Sequence, residues 1–462
     1  MIKRIITVLV ILFGGGAPPS VSAETSQWKT NHIYRDPQLE NFLLKILQPL
    51  YKVAGLNPTL VQPRVIVNPH YNAFATVENL VVVHTGFFAK TKTVEEMAGV
   101  LAHETGHQAG RHIMRTLSGV LPKAATTMIL GAALGGVLSV MTGHPEIGMA
   151  GILGAQNIAT SQFTAYSRGQ ERTADDYAVR LMQKLNWPLW GFRDATETML
   201  KLSKEHGSKE LPIYLQTHPA SIERREYVDQ FMSKSHNGRM SDDYQYAFKM
   251  AKARIAAFTM DTHEINSLYS DAAESDTLYA KALTKGIKGQ YSEAAKLMTE
   301  LIRRYPQDPY LLFARSEIYQ ASGQGDKALL DISAAINMAE RLNITGRKEV
   351  IMRFERATIY VILKQGEAAL KEMSYIEQLD KDLMRSPSFW DQYARIYDLL
   401  GNKVMVSYAL AESNLAMKNL NGVERYLNAA KAEAKSGSVE WMKLRDLELR
   451  LKQIRENPLE SM

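Results

Sequence analysis

The chain has 462 residues, a length that suggests two or three domains. Hydrophobic residues make up 45% and charged residues 23%, which excludes a disordered, collagen-like or polytopic membrane chain. The excess of 55 Lys and Arg over 49 Asp and Glu is too small and scattered to argue for nucleic acid. Cysteine is absent, so thiol catalysis, disulfides and cysteine metal sites are excluded, and any metal must be held by His, Asp or Glu.

Lys3 and Arg4 precede a short apolar run, Ile5 to Phe13, which Gly14, Pro18 and Pro19 break before Val21-Ser22-Ala23. This pattern reads as a secretory signal peptide over residues 1–23, cleaved after Ala23. The apolar run is too short to span about 30 Å of hydrocarbon. No Cys follows the cleavage site, which excludes a lipoprotein.

Asp36-Pro37 opens a helix, with Asp at the cap and Pro in the first turn. Leu39, Phe42, Leu43, Ile46, Leu47 and Leu50 recur at helical spacing, and Gly55 stops the pattern. From Arg64, short β-prone runs follow: Val65 to Val67, Ala73 to Ala75 and Leu80 to Val83. These predict a small antiparallel sheet. Thr93 with Glu96 forms a capping-box pattern and opens a helix expected from about Val94 to Arg115. Residues 118–160 are the least polar stretch after the leader. They read as a buried or membrane-touching helical hairpin, which would give peripheral membrane contact, in preference to a true span.

After about Asp261 the chain becomes helical and repetitive. Gly289 and Ala294 recur as Gly323 and Ala328, 34 positions later in each case. A 34-residue period with small residues at helix crossings is the tetratricopeptide signature. Such repeats stack and present a concave groove.

The chemistry centres on His103-Glu104-Thr105-Gly106-His107, an H-E-x-x-H pattern. Residues four apart share a helix face, so the two imidazoles can converge on one metal, with Glu104 beside them to take a proton from water. Neutral imidazole suits zinc, Zn2+. A catalytic zinc needs a third protein ligand. His112 lies five residues after His107, and continued helix would turn it off the ligand face, leaving it a surface or second-layer histidine. Glu171 and Asp175 are again four apart on one face. Glu171 could bind the metal while Asp175 accepts the other ring N–H of a liganding His. On spacing alone, a solvated acidic face beside Arg168 and Arg172 is an equal reading.

The pair H-E-x-x-H and E-x-x-x-D, with Ser167-Arg168 before the Glu and Ala174 before the Asp, resembles the gluzincin metallopeptidases that include HtpX-like and CAAX-prenyl-type proteases. The resemblance covers roughly residues 35–265. Asn72-Ala73-Phe74-Ala75 resembles the family's cleft strand, which pairs with substrate backbone, and Thr217-His218-Pro219 with Arg224 resembles its T-H-P segment. The resemblance implies His103, His107 and Glu171 as zinc ligands and Asp175 as an outer support. It implies His218 as a fourth metal ligand that keeps the enzyme latent. An oxyanion role, or a plain loop histidine, stays open for His218. Arg224 could bind a substrate carbonyl or the site's carboxylates, or be a surface charge. Asn72 could bind substrate or simply turn the chain.

The expected fold class is α+β: a mainly helical zincin-type domain with a small antiparallel sheet, followed by an all-α tetratricopeptide solenoid. The expected domains are the signal peptide (1–23), a metallopeptidase domain (24–265) and a repeat domain (266–462). Secreted, repeat-bearing members of the family imply a periplasmic endopeptidase with one zinc per chain. Its clients would be unfolded or misassembled envelope proteins, and outer-membrane assembly machinery would dock in the repeat groove. Two alternatives are an assembly adaptor with latent proteolysis and a membrane-bound prenyl-type processing enzyme.

Overall fold

The computed structural model describes residues 32–76, 79–113, 166–206, 213–271, 274–381 and 383–456. The expected leader and the apolar stretch 118–160 lie outside these residues. No helix among the described residues is long and apolar enough to cross a membrane. Two compact units divide between Ala280 and Lys281.

The first unit begins with β1 (His32–Tyr34) and α1 (Pro37–Val53). Asp36 caps α1 by accepting the Leu39 amide at 2.9 Å. The apolar stripe of α1 is buried, and Gly55 leaves the helix with φ +75°. Then follow β2 (Gln62–Val67), β3 (Ala73–Ala75), β4 (Leu80–His84) and the short helix α2 (Thr85–Lys90).

The sheet order is β1-β2-β4-β3. The sheet is mixed rather than antiparallel as expected. β1 and β3 run antiparallel to their neighbours, but β2 and β4 are parallel, with Val65 opposite Val83. β4 inserts between β2 and β3, so the chain returns through the sheet in its original direction. The run Leu80 to His84 is buried throughout, as a central strand covered on both faces requires. Alternation of residue types carries no information on strand direction, and β1 was not anticipated.

α3 (Val94–Ala109) is the axis of this unit and is buried from Val94 to His107. Thr93 accepts the Glu96 amide at 3.1 Å, and Glu96 accepts the Lys92 amide at 2.8 Å. The helix stops at Ala109, short of the expected Arg115, because Gly110 caps it and Arg111 takes φ +51°. Against α3 pack α1, α4 (Arg168–Lys184) and α5 (Trp190–His206). Glycines permit this closeness. A Cβ on Gly99 would stand 2.5 Å from Phe192 Cα, and one on Gly106 would stand 2.8 Å from the Ala174 carbonyl oxygen. The unit continues with α6 (Ile213–Thr217), α7 (Ile222–Asp229), α8 (Asp242–Thr259) and α9 (Thr262–Leu268). Buried Arg254 of α8 pairs with the same Asp36 that caps α1.

α10 (Ser275–Ile287) leads into the second unit. There follow α11 (Tyr291–Arg304), α12 (Pro309–Ala321), α13 (Gly325–Arg341), α14 (Val350–Ile362) and α15 (Gly366–Leu379). α16 (Pro387–Leu399), α17 (Lys403–Ala416), α18 (Leu420–Glu433) and α19 (Val439–Glu456) complete it. From α11 onward each helix packs on the next. Short turns recur with a left-handed central residue: Gly289, Gly323, Lys364, Gly401 and Lys418. Each turn closes by the same backbone bond, as in Gln324 N–H to Tyr319 C=O and Gln365 N–H to Tyr360 C=O, the Schellman arrangement. α14 serves two clusters: it gives Met352 and Ile359 to the one around Ile332 and Phe354 and Ala357 to the one around Phe389.

Candidate metal centre

α3 and α4 place the chemistry. His103, Glu104 and His107 project from the last turns of α3. α4 begins at a capping box in which Ser167 and Gln170 exchange hydrogen bonds, so its first turn brings Glu171 against the two histidines. Gly106 allows the two helices to approach. His218 follows α6, its amide bonded to the Tyr214 carbonyl at 2.8 Å.

His103, His107, Glu171 and His218 are buried together, with one ligating atom from each lying within 4.8 Å of all the others. Nε2 of His103 and Nε2 of His107 are 3.0 Å apart. Glu171 Oε1 lies 3.2 Å from His107 Nε2 and 2.9 Å from His218 Nδ1. The other face of each α3 histidine is occupied. His103 Nδ1 faces Asp175 Oδ1 at 2.8 Å, and His107 Nδ1 faces His112 Nδ1 at 3.0 Å. The carboxylate of Asp175 draws the His103 proton to Nδ1 and leaves its Nε2 as an acceptor, and His107 presents Nε2 in the same way when its Nδ1 donates to His112. Acceptor atoms converging in a dry site repel one another unless positive charge lies among them. Three imidazoles and a carboxylate are a donor set that fits a divalent transition metal.

His112 is buried against His107. The helical extrapolation that set it aside fails because the helix ends at Ala109, and the chain folds back at Arg111. Arg224 is buried and forks onto Asp175, with Nε to Oδ2 at 2.9 Å and an Nη to Oδ1 at 2.8 Å. Its other Nη lies 2.8 Å from Glu171 Oε2. The guanidinium thus engages the site's carboxylates. Asn72 is buried before β3, its side-chain amide 3.4 Å from His84 Nε2.

Burial alone would raise the Glu171 carboxyl, but the charges of His218, Arg224 and His103 hold it well below the usual carboxylate range. Burial opposes a charged His218, yet the carboxylates of Glu104 and Glu171 outweigh it and raise that imidazole. The same field that favours a proton there favours a metal cation. Burial pushes His107 well below its ordinary value, which keeps it neutral as a ligand must be.

Glu104 is fully buried beside the cluster. Its Oε2 accepts the Ala75 amide at 3.3 Å, and its Oε1 accepts the Tyr214 hydroxyl at 3.2 Å. Sequence reasoning missed Tyr214 and Tyr166. Tyr166 lies over His107, ring centroids 3.8 Å apart, and donates its amide to the Thr217 carbonyl. The signals were present: Tyr214 stands four residues before His218, and Tyr166 stands directly before Ser167-Arg168.

Residues 35–231 match the model of Peptidase family M48. The chain is 26% identical over 417 residues to the beta-barrel assembly-enhancing protease of Yersinia pestis, covering 88% of this chain and 82% of that one. It is 23% identical over 416 residues to the protein of that name from Escherichia coli (strain K12), with the same two shares. Metalloprotease LoiP of Escherichia coli (strain K12) is 28% identical over 179 residues, 39% of this chain and 66% of its own. The histidine and glutamate cluster thus sits in the segment that matches the Peptidase family M48 model, and the chain is a metalloprotease that resembles the beta-barrel assembly-enhancing proteases along most of its length.

Proposed function

We propose that the protein is a periplasmic zinc endopeptidase that cleaves unfolded or misassembled outer-membrane proteins. The observation that carries this reading is the convergence of His103, His107 and Glu171 with Glu104 alongside. In it, His103, His107 and Glu171 are the zinc ligands. Zinc held there supplies a Lewis acid that polarises a scissile carbonyl and acidifies water. Glu104 takes the proton from the attacking water and passes it to the leaving amine. Asp175 fixes the His103 tautomer, and Arg224 holds Asp175 and the ligand Glu171 in place by its charge.

An extended client adds to the outer edge of β3, with Asn72 at its entrance, and is read through its backbone. That mode suits unfolded chains. The second unit, read as tetratricopeptide repeats, selects clients or docks outer-membrane assembly machinery. The recurrence of left-handed glycines at 289 and 323, with identical turn bonds, supports that reading. The relatives' name, beta-barrel assembly-enhancing protease, supports the client class. The leader pattern at residues 1–23 supports export.

His218 makes a fourth protein donor, whereas catalytic zinc sites keep one position open. In this reading His218 is a latch, and its withdrawal opens the site. The same contact favours a second reading, in which the protein acts mainly as an assembly adaptor and proteolysis stays latent.

Both are tested by cleavage of an unfolded test protein by the purified chain, with Glu104→Gln and His218→Ala alongside. Cleavage lost in Glu104→Gln and increased in His218→Ala is expected. No cleavage by either wild type or His218→Ala, with zinc bound, would discard the peptidase reading in favour of the adaptor.

A further inference from the structure

Glu104 is gripped at both oxygens, and the two grips differ in kind. Oε2 takes a backbone amide, that of Ala75. Oε1 takes the hydroxyl of Tyr214, a fully buried side chain. The Tyr214 ring also stacks on His218, centroids 4.5 Å apart and planes at 28°. Tyr71 meets Tyr214 edge-on, at 5.8 Å and 81°. His218 Nε2 lies 3.6 Å from the same Glu104 Oε1 and has no hydrogen-bond partner.

Two donors therefore compete for one carboxylate oxygen. Without the hydroxyl, Glu104 would rotate onto His218 Nε2, because a buried carboxylate and a buried imidazole are each costly unpaired. With the hydroxyl in place, the carboxylate is held between Tyr214 and the Ala75 amide of β3. A tyrosine hydroxyl carries its proton at neutral pH, so toward a carboxylate it donates.

We propose that Tyr214 is a positioning residue shared by the base and the latch: its hydroxyl aims Glu104, and its ring holds the face of His218. The inference deepens the peptidase reading and rests on it. Tyr214→Phe keeps the ring and deletes only the hydroxyl. Its kcat should fall about 10–100-fold, the worth of one hydrogen bond to a buried charge, with KM, bound metal and thermal midpoint retained. Tyr71→Phe deletes a neighbouring hydroxyl and should leave kcat unchanged.

A second readout is independent of turnover. 3-Fluorotyrosine placed at position 214 should give a 19F resonance that moves on Glu104→Gln. A moving resonance with a selective loss of kcat supports the proposal. An unmoved resonance overturns it, as does a Tyr214→Phe chain with wild-type kcat. A kcat loss accompanied by loss of metal or of folding also overturns it, because the hydroxyl would then be structural. If the resonance moves while neither wild type nor His218→Ala cleaves protein, the Tyr214–Glu104 bond stands and the peptidase reading fails.

Discussion

Asp175 stands 2.8 Å from Nδ1 of His103, and that contact decides which nitrogen of the ring faces the cluster. An imidazole whose Nδ1 carries the proton presents Nε2 as an acceptor. Asp175→Ala removes the partner and frees the ring to turn. Metal affinity should weaken by about 10–100-fold, measured by competition with a chromogenic chelator. Wild-type affinity in this variant would mean that the ring is oriented by packing alone.

Gly106 sits where α3 meets α4. By helix propensity, Gly106→Ala should stabilise by about 1 kcal/mol. The contact with the Ala174 carbonyl oxygen reverses the sign. Forcing the helices apart should cost about 1–3 kcal/mol and should weaken metal binding by displacing Glu171. Chemical denaturation and chelator competition check both parts, and a stabilised variant would show that the helices separate freely.

His84 links stability to pH. Burial, then the neighbouring His70, lower its pKa from 6.5 to about 4. Above about pH 6.5 neither the folded nor the unfolded chain protonates it. Between 6.5 and 4 the unfolded chain binds the proton and the folded chain does not, so stability falls as pH falls through that window. The loss is bounded by about 3 kcal/mol. His84→Gln should flatten the decline between pH 6.5 and 4 relative to wild type in urea titrations, and parallel curves would contradict this assignment.

The short turns of the second unit offer a matched pair of substitutions. Gly323 has φ +76°, and Lys364 holds the equivalent place with φ +59°. A side chain in this conformation costs about 1–2 kcal/mol. Gly323→Ala should therefore destabilise by about 1 kcal/mol, while Lys364→Gly should stabilise by a smaller amount, because glycine also loosens the unfolded chain. Thermal melts would show opposite signs, and shifts of the same sign would refute the equivalence of the two turns.

How far the sequence could be read follows from what kind of rule each feature obeys. His103 and His107 share a helix face by a fixed angular step, and so do Glu171 and Asp175, so each pair was legible by itself; that the two pairs meet was implied only by the family resemblance, since spacing alone left Glu171 and Asp175 an equal reading as a solvated face. The helix cap at Asp36 and the strands at 65–67, 73–75 and 80–83 were legible from local chemistry. The parallel pairing of β2 with β4 was not, because pairing direction depends on chain routing. His112 was left open between the surface and a second layer because the helical wheel was carried past Gly110, where the helix had ended; its contact with the outer nitrogen of His107 is the second of those readings. Tyr214 stood four residues before His218, but nothing in that spacing says that its hydroxyl would meet a carboxylate from another segment. Gly99 and Gly106, seven apart on α3, were the overlooked marks of close helix contact.

α14 contributes to two hydrophobic clusters at once, and this gives the second unit a mechanical character. Where one helix serves two clusters, the row has no seam between them at which to part. Local opening must begin at α19 or at the opposite end and advance inward, one neighbour at a time. Hydrogen exchange along residues 281–456 would therefore be slowest in the middle of the row, around Phe354, and fastest at its margins.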